Sequence, residues 1–135
     1  MQFMKPFLVL CFFACSFFVT GQNDPYVDYL VSLLKTDISD KKRVKTYSDL
    51  AEYIGDEKTW MSYNKKALVL ARKKLKEVKG KARRFYMIAV ADAYNNYGFY
   101  SDNQDDKDNA LKYYFKALNN LQRARRSLRK GRCDE

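Results

Sequence analysis

Apolar and small side chains return at steps of four, three, four and three along Tyr86, Val90, Ala93, Tyr97 and Tyr100. That spacing follows the turn of an α-helix and places one stripe on one face. The signature recurs in Val44, Tyr47, Ala51 and Ile54. It recurs again in Trp60, Asn64, Ala67 and Ala71, widened by Leu68, Leu75 and Val78, and in Ala110, Tyr114, Ala117 and Leu121. A shorter stripe comes first, with Tyr26, Tyr29, Leu30, Leu33 and Leu34. No strand-like alternation of useful length interrupts the series. Five Gly and two Pro are too few for turn-rich β architectures. The sequence therefore predicts an all-α fold of about five helices, two hairpins behind a leading helix.

Helix boundaries are marked by chemistry. Asp24-Pro25 offers a capping carboxylate and a proline at the first helical position, so a leading helix falls within 22–40 and ends near Lys35. Ser39-Asp40 supplies the next cap, and the second helix covers 41–54. Gly55 is expected to end it in the left-handed conformation, Asp56 to cap the third helix, and Gly80 to stop that one. The fourth begins within a residue or two. The polar stretch from Ser101 to Asp108 reads as a turn, and the fifth helix runs from Ala110 through Leu121 toward Arg129.

Upstream of the helices, Phe7 to Val19 is an apolar run broken only by Ser16, with Lys5 before it and Val19-Thr20-Gly21 after it. A charged start, a short apolar run and a small-residue exit describe a secretory signal peptide over 1–21. A membrane anchor is the competing reading, but spanning takes about 20 apolar residues. Lipidation of Cys15 is disfavoured by the bulky Phe12 and Phe13 before it and the apolar residues after it. The expectation is a secreted or periplasmic chain, held at a membrane only if the signal stays uncleaved. Cleavage would remove Cys11 and Cys15 and leave the single thiol of Cys133.

The last two helical segments carry a sparse pattern of large and small residues: Tyr94, Tyr97, Gly98, Ala110, Tyr114 and Ala117. In this pattern small Gly98 and Ala110 let two helices approach, Tyr114 fills the space between, and Ala117 admits a following helix. The pattern resembles the tetratricopeptide repeat, a helix–turn–helix unit of about 34 residues. Ser101 stands where the family usually has Tyr, and Gln122 where it often has Pro. A weaker copy places Val44, Tyr47 and Ser48 against Tyr94, Tyr97 and Gly98, and Trp60, Ala67 and Leu68 against Ala110, Ala117 and Leu118. In that copy Trp60 is large where a small residue is usual, and Asn64 is polar where Tyr114 is aromatic. The resemblance spans 41–121 and is strongest from Ala91 onward. It implies two repeat hairpins, a basic tail over 122–135, and a module that binds a protein or peptide. It is also similar to the exported helical-repeat sensing regions of bacterial two-component histidine kinases, of which this chain would be a truncated version.

The formal charge is +10, with no His. Lys65 to Arg84 carries ten basic residues against the single acid Glu77, and Arg123, Arg125, Arg126, Arg129, Lys130 and Arg132 crowd the end. Such clusters supply the sequence-independent part of nucleic-acid binding. No groove-reading motif accompanies them, and export argues against nucleic acid. The alternative function is therefore charge-driven binding of anionic polymers or membrane surfaces. The acids Asp102, Asp105, Asp106 and Asp108 do not form a calcium loop. Counting from Asp102, the sixth and twelfth positions are Lys107 and Tyr113, where Gly and Glu are needed. There is no nucleophile motif and no phosphate-binding glycine loop. Asp49 and Glu52 share a helix face and read as solvated acids, and Cys133 has no His to activate it. The sequence calls for no catalytic residue, metal or cofactor. It does call for a docking face. Leu111, Phe115 and Leu118 form a second apolar stripe on the fifth helix, beyond the one stripe a surface helix needs. With no further repeat to cover it, that stripe is expected to meet a partner or a second copy of the chain.

Overall fold

The computed structural model describes residues 24–133, which form five α-helices and, among those residues, no strand. They are α1 (Pro25–Leu34), α2 (Asp40–Tyr53), α3 (Glu57–Glu77), α4 (Gly80–Asn103) and α5 (Lys107–Cys133). The expected signal peptide over 1–21 lies outside the described residues. No helix among those described is long and apolar enough to cross a membrane.

Side chains begin the helices where the sequence placed them. Asp24 accepts from the Tyr26 amide at 2.8 Å, Ser39 from the Lys42 amide at 3.3 Å, and Asp56 from the Thr59 amide at 2.8 Å. Each bond satisfies a donor that has no partner within the helix. The glycines behave differently from expectation. Helix α2 ends at Ile54 in extended backbone, and Gly55 does not take a left-handed φ. Helix α3 ends at Glu77, two residues before extended Lys79. Gly80 does not stop it but opens α4, at φ +58°. The polar stretch after Tyr100 is not a turn throughout. Helix α4 continues to Asn103 because Ser101 is buried. The turn shrinks to 104–106 and pivots on Asp105 at φ +58°, a conformation that Asp tolerates better than most residues. Asp106 then caps α5, accepting from the Asn109 amide at 3.2 Å.

Successive helices pack in chain order: α1 on α2, α2 on α3, α3 on α4, and α4 on α5, with α2 also reaching α4. The short connection over 54–56 makes α2 and α3 antiparallel, and one ion pair joins their far ends. Lys74 near the end of α3 bonds Asp40 at the start of α2 at 2.7 Å, and also Glu77 at 2.6 Å. The core lies where α2, α3 and α4 meet, built from Val44, Leu68, Ala71, Tyr86, Ala89, Val90 and Ala93. Within it, Asn64 is only 1% exposed. Its amide donates to the Ala93 carbonyl at 3.0 Å and accepts from Asn96 at 3.0 Å. A buried amide so satisfied ties α3 to α4 rather than weakening the core.

Helix α5 packs on α4 through Ala110, Ala117 and Ala124, buried at strict seven-residue steps. Leu121 does not extend this stripe; it is 44% exposed. The helix runs through the basic segment to Cys133, and Ala124 is 3% exposed amid the arginines.

Candidate functional site

The packing residues lie on the α4–α5 hairpin. Gly98 meets the Tyr114 ring. A Cβ at Gly98 would stand 2.6 Å from two ring carbons of Tyr114. Tyr94 and Tyr97 are half-buried against Tyr113, with ring centroids 6.2 and 5.4 Å away. Lys116 lies over the rings of Tyr94 and Tyr113 at 5.4 and 5.1 Å, within cation–π range. Tyr113 was not singled out in the sequence, yet it is the ring that the α4 tyrosines share. Its signal was available: it precedes Tyr114 and stands three residues past buried Ala110.

Leu111, Phe115 and Leu118 stand at 55%, 62% and 47% exposure on the side of α5 away from α4. None of the other described helices packs against α5.

A furrow that no sequence spacing marked runs between α2 and α4. Its main part holds about 520 Å³. Lys45, Ser48, Asp49 and Glu52 line it from α2, and Ile88, Asp92, Asn95 and Asn96 from α4. It continues past Glu52 and Asn96 into a smaller recess of about 300 Å³, which ends at Trp60 and exposed Phe99. Trp60 is braced edge-on by Tyr100 at 6.2 Å. Asn64 holds the Asn96 amide from below.

The furrow carries negative charge. Asp49 is bonded by Lys45 at 2.8 and 2.9 Å, but Glu52 and Asp92 make no salt bridge among the described residues. Asp92 remains exposed as a residue, yet the furrow wall crowds its carboxylate. Desolvation, aided by the neighbouring Glu52 charge, holds the Asp92 carboxyl above the usual carboxylate range. A cation entering here would offset the repulsion between Glu52 and Asp92.

A second furrow, of about 560 Å³, has the opposite sign. Arg43 and Tyr47 of α2 face Lys65, Lys66, Val69 and Lys73 of α3. Lys66 sits over the Tyr63 ring at 4.8 Å. Among the described residues no group of His, Cys, Asp and Glu is arranged to hold a metal. Comparison with protein-family models, curated proteins and solved structures finds no match.

Proposed function

We propose that the chain is an exported protein-interaction module of tetratricopeptide-like hairpins. Its α2–α4 furrow receives an extended peptide segment carrying a Lys or Arg beside an apolar residue. The carrying observation is the furrow itself: two carboxylates without ion-pair partners lie midway along it, and an aromatic recess closes one end. Ser48, Asn95 and Asn96 offer hydrogen bonds to a peptide backbone, and the carboxylates offer charge-assisted bonds to a cationic side chain. Binding of this kind needs no chemistry beyond recognition. The order of Lys5, the apolar run and Gly21 supports a secreted or periplasmic setting.

A library of short peptides varied at two adjacent positions, screened against the protein, tests the reading. It should select Lys or Arg next to Phe, Leu or Tyr. Glu52→Lys combined with Asp92→Lys should remove that selection while the melting transition persists. Selection of acidic peptides, or selection indifferent to the double variant, would refute it.

One observation favours the charge-driven alternative: the basic α2–α3 furrow surrounds Val69, an apolar side chain left 60% exposed. An anionic polymer or lipid surface bound there should dissociate steeply as salt rises. A peptide held in the acidic furrow should weaken far less steeply, because one cationic side chain makes its charged contacts and an aromatic recess holds the rest.

A further inference from the structure

We infer that the outer face of α5 pairs with the same face of a second copy, antiparallel, around a two-fold axis between Phe115 and Leu118. Continued in both directions at helical steps, the exposed stripe reads Asp108, Leu111, Phe115, Leu118, Gln122 and Arg125, and all six are exposed. The steps are three, four, three, four and three, so the series is the same read from either end. Turned end over end onto a second copy, it sets Phe115 opposite Leu118, Leu111 opposite Gln122, and Asp108 opposite Arg125.

The charges select this arrangement and this occupant. Acids outnumber bases around the start of α5, where Asp106 and Asp108 stand beside Asp102 and Asp105, the pair that Lys107 bridges. Bases gather toward the other end, with Arg123, Arg125, Arg126 and Arg129. An antiparallel pair brings the acidic end of one copy to the basic end of the other, twice. A parallel pair would stack Asp108 on Asp108 and Arg125 on Arg125, a like-charge penalty of the kind that sets helix orientation in coiled coils. A surface complementary to itself under a two-fold rotation is what an isologous dimer requires. Between the charged ends, the apolar centre of Leu111, Phe115 and Leu118 supplies the burial.

The test is sedimentation velocity of the purified protein at physiological salt, from low to high micromolar concentration. The wild type should dimerise. Phe115→Asp should be monomeric and still melt cooperatively, losing only the concentration-dependent part of the wild-type melting temperature, because Phe115 is 62% exposed and its loss opens no cavity. Arg125→Asp and Asp108→Arg should each weaken the dimer about tenfold, since each turns two exposed attractive pairs into repulsive ones. The doubly reversed protein, Asp108→Arg with Arg125→Asp, should recover the dimer. Restoration also answers the concern that Asp108→Arg harms the start of α5. A wild type that stays monomeric, a dimer indifferent to Phe115→Asp, or a double reversal as weak as its parents would overturn the inference.

Discussion

Gly98→Ala tests the close approach of α4 to the Tyr114 ring of α5. The added Cβ would meet Cδ1 and Cε1 of Tyr114 at 2.6 Å and Cζ at 3.0 Å. Carbon pairs prefer about 3.5–4.0 Å, so either the ring must swing or the helices must part. Overpacking of this kind costs about 1–3 kcal/mol. Against it, Ala in a helix interior is better than Gly by about 1 kcal/mol. Because Tyr114 is a half-buried side chain and not backbone, the net loss should be no more than about 2 kcal/mol, a fall of up to about 8 °C in melting temperature for a domain this size. The partner of the clash is identified by repeating the change in a Tyr114→Ala background. With the ring gone, Gly98→Ala should become neutral or stabilising, and thermal denaturation of the four proteins reads the coupling. If Gly98→Ala raises the melting temperature of the wild type, or shifts both backgrounds equally, Gly98 is not there to admit Tyr114.

Gly80→Ala should destabilise by about 1–2 kcal/mol from left-handed strain alone, since an added Cβ there meets nothing within 4 Å. Gly55→Ala, with neither a positive φ nor a neighbour, should be neutral or slightly stabilising in the same melts. Asn64→Ala should cost about 2–3 kcal/mol by removing two buried hydrogen bonds, and peptide binding in the α2–α4 furrow should weaken with it as Asn96 loses its support. Asp92→Asn should stabilise at neutral pH. The folded-state pKa of Asp92 lies above its ordinary 3.8, so its ionisation lowers stability as pH rises through that window. The gap between variant and wild type should therefore close on acidification, and a gap that widens in acid would contradict the desolvated carboxylate.

What the sequence made legible was local. Caps at Asp24, Ser39 and Asp56 depend on neighbours two or three residues away, and a single strand of sequence contains them. The helical stripes of α2, α3 and α4 were legible for the same reason. Failures came where tertiary contact overrides local preference. Ser101 to Asn103 look like turn residues, but burial of Ser101 keeps them helical. Ala124 hides among Arg123, Arg125 and Arg126, yet it sits one heptad past Ala117 and packs. Asn64 counted against a repeat because it is polar, but Ala93 and Asn96 complete its bonds from a helix about thirty residues away. The acidic furrow was invisible for a related reason. Asp49 and Glu52 look like ordinary solvated acids until α4 brings Asp92 across from them.

Helix α2 shows how one element serves surfaces of opposite sign. Its Val44 and Leu50 are buried, its Ser48, Asp49 and Glu52 turn into the acidic furrow, and its Arg43 and Tyr47 turn into the basic one. Sorting charge by helix face in this way separates encounter from retention. The field of a chain with net charge +10 repels a cationic peptide at long range and draws in an anionic surface. Only within the furrow, past the Debye length of about 8 Å at physiological salt, does the local pair of Glu52 and Asp92 dominate. A cationic segment should therefore bind by slow encounter and be selected by its fit beside the aromatic recess. Its association rate should rise with added salt, while that of any anionic partner falls.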